Sequence, residues 1–318
     1  MPPKILPPRL HPGARVALLA PSGPLLERDH LARGAELCRA LGVEPVLMPN
    51  AGNARGYLAG TDEERLADLN AALTDPAVDA VWCLRGGNGM NRIVDRVDFA
   101  AFAASPKVVI GYSDITVLLL ALWTQTGVVT FHGPMARFAM PEFSRKHFEL
   151  VLTRDSAMGR LGRVRTRPDI LVPGPGRIVP VVAGRATGRL VGGNLTLLQS
   201  LIGTRFFPDL RGAILFLEDI GEDLYRIDRM LGHLRLAGAL DSLAGVAIGH
   251  FSRMRHATFE GALGLDEVLR TYFASRHIPV AHGFPIGHVP EQWTLPIGLM
   301  AELNADDGNL SLLEPGVR

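Results

Sequence analysis

Cysteine is scarce in this chain. Only Cys38 and Cys83 occur among 318 residues, too few for a disulfide framework or a zinc-binding set. Both fall in segments that read as a helix and a strand, so two buried free thiols are expected. An excess of charge of either sign is also missing: 33 Lys and Arg face 32 Asp and Glu, for a net charge of +1. No broad basic field exists to hold a nucleic acid. No H-E-x-x-H pair offers a metal site, and no metal is expected. No stretch reaches the roughly 20 apolar residues of a membrane span, so no membrane partner is expected. The first apolar run, "VALLA", is too short for the core of a secretory signal. A cytoplasmic location is expected.

What is present is an ordinary globular balance, with 47% apolar and 20% charged residues. The length suffices for two domains. In the first half, "RVALLAPSG", "EPVLMP", "DAVWCL", "KVVIGY" and "VVTFHGP" read as short strands. Helical stretches separate them. Residues 26–41 carry Leu31, Ala35, Leu37 and Leu41 at helical spacing and stop at Gly42. Thr61 with Glu64 makes a capping box at the head of "TDEERLADLNAALTD". Continuous apolar strands alternating with helices predict an α/β fold, with a flavodoxin-like or Rossmann-like parallel sheet covered by helices on both faces. Ligands of such sheets sit beyond the carboxyl ends of the strands. "PSG", "RGGNG" and "YSD" all fall there.

The pattern changes after about residue 155. "GRLGRVRTRPDILVPGPGRIVP" is rich in Gly, Pro and Arg and has no helical period, as a linker would. The expected organisation is an α/β domain at 1–155, a linker at 156–180, and a smaller β-rich α/β domain at 181–318. In the last, "GRLVGGNLTLLQSLIGT" reads as strand, glycine turn and helix, and "GAILFLEDIG" as a strand ending in acids. "DLYRIDRMLGHLRLAG" reads as a helix, "LAGVAIGHF" as a strand, and "IPVAHGFPIGHVPEQWTLPIG" as a strand followed by a long loop.

"KVVIGYSDIT" puts Ser113 at a strand-to-helix turn two residues after Gly111. That resembles a nucleophile elbow lacking its second glycine. The alternative is that Ser113 or Asp114 caps the helix. A serine nucleophile needs a base and a group to orient that base. Glu218 and Asp219 end a buried strand, and His288 sits in a loop crowded with Gly and Pro. Solvated acids and a surface histidine are the alternatives. "RGGNGMNR" supplies Gly87, Gly89 and Arg92 but lacks the third glycine of a dinucleotide fingerprint. It reads better as backbone approaching a ligand, or as a second oxyanion donor.

"APSGP", "LRGGNGMNRI", "GYSDIT", "HGPM", "GRLVGGNLTLLQSLIGT", "ILFLEDIGEDLYRIDRML" and "GFPIGHVPEQWTLPIG" together resemble the LD-carboxypeptidase family, the S66 serine peptidases, in that family's order and over nearly the whole chain. The resemblance implies a Ser-Glu-His triad at Ser113, Glu218 (rather than Asp219) and His288. The nucleophile would come from the first domain and its base from the second. It also implies a homodimer without metal or cofactor, and a peptide substrate. That substrate is a murein tetrapeptide, cut between the L-centred carbonyl of a diamino acid and a terminal D-alanine during peptidoglycan recycling. The backbone N–H groups of Asp114 and Gly87 are the expected oxyanion donors. Arg85 is a candidate by position for the substrate carboxylate, with a structural salt bridge as the alternative. Asn88 stands where the family commonly has Tyr, Gln292 where it has Asn, and Trp293 is large for its place; all three bear on the pocket lining. A microcin-immunity-type amidase acting on aminoacyl-nucleotide antibiotics is the runner-up, disfavoured by the short "LIGTRFFPDLRGAILFLED". A non-catalytic ligand-binding protein is disfavoured because no triad residue is lost, and a nucleotide-dependent oxidoreductase by the broken fingerprint.

Overall fold

The apolar runs of the first half form the parallel strands that their continuity predicts. In the computed structural model, which describes residues 2–27, 29–137, 139–164, 177–255 and 263–318, they are β1 (Arg15–Leu19), β2 (Glu44–Leu47), β3 (Ala80–Cys83), β4 (Val108–Gly111) and β5 (Thr130–His132). Their order across the sheet is 5-4-3-1-2, all parallel, which is the flavodoxin-like order. The helices between them are α1 (His30–Ala40), α2 (Asp62–Thr74), α3 (Phe99–Ala104) and α4 (Thr116–Thr126), and α5 (Glu142–Thr153) follows β5. The capping box of α2 is formed: Glu64 N donates to the Thr61 hydroxyl, and Thr61 N to the Glu64 carboxylate. Helix α4 is apolar on every side and almost wholly buried, as a helix packed all round must be. Gly127, at φ +74, ends it.

Among the described residues, the second half builds a mixed eight-stranded sheet. Its strands are β6 (Gly159–Arg160), β7 (Val179–Val182), β8 (Arg185–Asn194), β9 (Ala213–Ile220), β10 (Gly245–Ser252) and β11 (Val280–His282), with β13 (Met300–Asn304) and β14 (Asn309–Leu312). Strands β8 to β11 run parallel at its centre. Helices α6 (Leu195–Ser200), α7 (Leu224–Leu236) and α8 (Leu265–Phe273) connect them. Residues 165–176 of the expected linker lie outside the described residues. On either side of that stretch, β6 and β7 join opposite edges of the second sheet.

Two features lock the halves together. Strand β12 (Leu295–Ile297) leaves the second half and pairs antiparallel with β5 at the edge of the first sheet. The loop carrying His288, residues 283–294, is therefore held by β11 in one sheet and β12 in the other. Near by, Asn194 N at the end of β8 donates to the Thr116 hydroxyl at the start of α4, at 3.1 Å. Gly193 makes this approach possible, since a Cβ there would stand 2.6 Å from the Thr116 side chain.

Candidate active site

The chain turns at once after β4. Ser113 adopts φ +61, a left-handed conformation that costs a residue with a Cβ about 1–3 kcal/mol. A single 3₁₀ turn, Ser113–Ile115, then leads into α4. Neither helical start carries a side-chain cap, so the capping alternative for Ser113 and Asp114 is not realised. The Asp114 carboxylate instead accepts from Met90 N at 2.9 Å. It is buried and fastens the glycine turn after β3 to the turn of Ser113.

Gly86 is the member of that glycine turn seated on Ser113. A Cβ at Gly86 would lie 2.9 Å from Ser113 Cβ, 3.0 Å from Oγ and 3.1 Å from the amide nitrogen of Asp114. Gly87, at φ +109, packs against Gly23 of the loop after β1. Gly23 N in turn donates to Gly86 O at 2.8 Å. Arg65 of α2 ties these loops from below, donating through Nη1 to Pro21 O at 2.5 Å and Gly89 O at 3.1 Å. Its side chain is fully buried. Neither Gly86 nor Arg65 is singled out by the sequence reading. The available signals are the doubled glycine and an arginine one residue past the capping box of an amphipathic helix.

On the second sheet, Glu218 has no exposure and its Oε2 accepts from His288 Nδ1 at 2.8 Å. Burial pushes the Glu218 carboxyl above its usual range, and the bond to His288 opposes that shift. The ring nitrogen facing the carboxylate carries the proton, which leaves Nε2 as the basic nitrogen. The imidazole packs edge-on to Tyr112, with ring centres 4.8 Å apart, and Tyr112 immediately precedes Ser113. Burial pushes the Tyr112 phenol up to about 12, so it stays protonated. His132, at the end of β5, lies against Tyr112 and Phe216 at 5.9 and 5.3 Å between ring centres. Burial, with the nearby His288 charge, pushes its imidazole down to about 3. Glu218 at the carboxyl end of β9 thus holds His288 against Tyr112, the residue that follows β4 and precedes Ser113.

The other predicted residues are placed as follows. Asp219 turns away from His288 and accepts from Asn194 Nδ2, Thr196 N and Thr196 Oγ1 at 2.8–2.9 Å, holding the start of α6. Gly87 and Asn88 are exposed, and Arg85 is half-buried. The Arg85 guanidinium donates to Pro24 O, and among the described residues it makes no ion pair, so the salt-bridge alternative finds no partner. Trp293 is only 1% exposed. Its indole donates to Gly162 O at 2.8 Å and packs on Phe284, which pins the segment after α5 to the His288 loop and keeps the ring out of the cleft. Gln292 is buried as well, its backbone N–H donating to Ser144 Oγ. Both cysteines are free and buried, and burial pushes both thiols up to about 12, where they are not nucleophiles. Among the described residues, Glu27, Asp29 and His30 form one cluster of possible metal ligands. Arg33 already lies 2.5 Å from Asp29 and 3.3 Å from Glu27, so a cation occupies that cluster.

Known proteins resemble this chain along its length. The family model of the LD-carboxypeptidase N-terminal domain matches residues 16–133, and that of the LD-carboxypeptidase C-terminal domain matches residues 187–303. A probable murein peptide carboxypeptidase of Bacillus subtilis is 38% identical, over 98% of this chain and 95% of that protein. Among solved structures, the microcin C7 self-immunity protein MccF of Escherichia coli superposes with a TM-score of 0.90 at 26% identity, over 99% of this chain and 100% of the other. A muramoyltetrapeptide carboxypeptidase of Oxalobacter formigenes gives a TM-score of 0.79 at 31% identity, over 96% and 99%. With both domains matched in order and a relative alignable from end to end, the chain belongs to the LD-carboxypeptidase family.

Proposed function

We propose that this protein is a serine LD-carboxypeptidase that removes the terminal D-alanine from murein tetrapeptides. The observation that carries the reading is the buried Glu218–His288 hydrogen bond beside a serine held at positive φ. An oriented histidine near a serine turned sharply out of its strand is what a nucleophile and its base require. The murein peptide and muramoyltetrapeptide carboxypeptidases among its relatives support the choice of substrate.

In this mechanism, His288 Nε2 takes the proton of Ser113 as Oγ attacks the carbonyl of the residue before D-alanine. Glu218 stabilises the imidazolium that forms. The N–H groups of Asp114 and Gly87 hold the oxyanion, and each such donor contributes about 2.7–4 kcal/mol of transition-state stabilisation. His288 returns its proton to the departing amine of D-alanine. Water, activated by the same histidine, then hydrolyses the acyl-enzyme and restores Ser113.

The test is release of free D-alanine by the purified protein from a murein tetrapeptide and from the same peptide ending in L-alanine. Rapid release from the first and far slower release from the second is expected, because inversion exchanges the carboxylate and the methyl group. The structural likeness to MccF, also solved with aspartyl sulfamoyl adenosine, favours an amidase of aminoacyl nucleotides as the second reading. Equal rates on the two tetrapeptides, with hydrolysis of an aminoacyl sulfamoyl adenosine, would establish it instead.

A further inference from the structure

We propose that Tyr112 is a positioning residue for the reaction, its ring fixing the direction in which His288 presents Nε2 to Ser113. The inference rests on the serine mechanism of the proposed function. Rings and strand ends form a closed circuit through the imidazole. Phe216, on β9, meets His132 edge-on, with ring centres 5.3 Å apart and planes at 77°. His132 ends β5 and meets Tyr112 at 5.9 Å and 62°. Tyr112 follows β4 and meets His288 at 4.8 Å and 65°. His288 bonds Glu218, which returns the circuit to β9 two residues after Phe216. Residues two apart on a strand share a face, so both ends of the circuit stand on one side of β9. The other four members are buried, whereas the side chain of His288 keeps 15% exposure. The imidazole is therefore the member of the circuit that reaches the cleft.

Each contact removes a different freedom. Glu218 fixes which nitrogen carries the proton and holds one edge of the ring. That single bond leaves the imidazole free to tilt about it. A second ring packed edge-on against it blocks the tilt, and such packing is selective in geometry. Tyr112 also carries position to the nucleophile, because its own backbone leads into Ser113. Its backbone is fully extended, at φ −154 and ψ −171, and Ser113 then turns to φ +61. The imidazole is thereby set against the backbone of the residue it deprotonates, and a shift of Tyr112 moves both. A serine on one sheet and a histidine oriented from the other need such a link, since a misplacement of about 1 Å can cost about 100-fold in rate.

The test reads turnover and the imidazole separately in the full-length protein. Tyr112→Phe keeps the ring and should keep near-native kcat for D-alanine release from the murein tetrapeptide. Tyr112→Leu fills much of the same space without a ring. Its kcat should fall about 100-fold with KM unchanged, because Tyr112 acts through His288 and not on the substrate. Should Tyr112→Leu fail to fold, Tyr112→Met, unbranched and adaptable, takes its place. NMR of the substrate-free protein, with isotope-labelled His and Tyr, should show a through-space contact between the two rings. In Tyr112→Leu the His288 resonances should shift while the Nδ1 proton stays bound to Glu218. A purely structural role would lower Tm and leave those resonances alone. Retained kcat in Tyr112→Leu would overturn the proposal, as would a Tyr112→Phe protein as slow as Tyr112→Leu. So would loss of kcat with the His288 resonances unmoved, or no contact between the rings in the unmutated protein. Shifted His288 resonances in Tyr112→Leu, with no D-alanine released by the unmutated protein, would end the carboxypeptidase reading and leave the positioning of the imidazole standing.

Discussion

His288 and Glu218 meet across the junction of the two sheets, with Nδ1 of the histidine 2.8 Å from Oε2 of a carboxylate that has no exposure. Gly287, at φ +99, lets the loop come so near; a Cβ there would collide with that same Oε2. The loop is tied to β11 on the sheet of Glu218 and to β12 on the sheet of Ser113. The imidazole is thus located by the packing of both halves.

Substitutions in the proposed triad should act as one unit. Ser113→Ala, His288→Ala and Glu218→Gln are each expected to reduce kcat by roughly 10³-fold or more, and the triple variant to be little worse than the worst single one. Asp219→Asn should behave differently. Its carboxylate holds Asn194 and Thr196, not His288, so the expected loss is about 1–3 kcal/mol of stability. Steady-state kinetics beside thermal unfolding separates the two. An Asp219→Asn protein with native Tm and no turnover would falsify the assignment of Glu218 as orienter.

Close backbone contact makes two glycines sensitive positions as well. Gly86→Ala places a methyl group 2.9–3.0 Å from the Ser113 side chain, inside any ordinary contact. The protein should fold, because the clash is relieved by moving a turn whose tip, Gly87 and Asn88, is exposed, and kcat/KM should fall at least about 100-fold. Gly287→Ala meets both positive φ and the buried Glu218 carboxylate, so lost stability should accompany lost activity. Near-native turnover by Gly86→Ala would show that the turn does not shape the site.

The activity should fall in acid in a way that reports the Glu218–His288 pair. The Glu218 carboxyl is raised above its ordinary value of 4.5, chiefly by burial. As pH falls, the pair therefore takes up a proton earlier than an exposed carboxylate would, and the base is lost. The acid limb of kcat/KM should lie above the range of ordinary carboxylates and belong to the pair rather than to either residue. A pH–rate profile still flat at pH 5 would contradict it.

Much of this site is legible in the sequence, for physical reasons. Strand ends followed by Gly and Pro mark where a parallel sheet presents its ligand face, and Ser113, Gly87 and Glu218 all lie at such ends. The capping box at Thr61 is a local signal and forms as expected. What is hidden is non-local. Strand β12 has three residues inside a Pro-rich loop, and only its partner β5, far back in the chain, makes it a strand. Trp293 looks like pocket lining until Gly162 is found as its acceptor. Arg65 is not singled out by its local sequence, and its partners come from the loops after β1 and β3 that close over it.

His132 carries the last prediction, which concerns stability rather than turnover. It is wholly buried, and among the described residues neither ring nitrogen has a hydrogen-bond partner. Its imidazole is pushed down from 6.5 to about 3, by burial first and the charge of His288 second. Above pH 6.5 it is neutral both folded and unfolded, so it adds no pH dependence. Between 6.5 and 3 the unfolded chain binds a proton that the folded protein refuses. Stability must therefore fall as pH falls through this window, by roughly 1.4 kcal/mol per pH unit from this group and about 3–6 kcal/mol in all. His132→Phe keeps a ring against Tyr112 and Phe216 but cannot titrate. Urea unfolding at pH 7, 5.5 and 4.5 should show the substituted protein losing less stability with acid than the parent. The carboxylates titrate in both proteins, so the difference isolates His132. Identical acid dependence would mean that this histidine takes up its proton in the folded state.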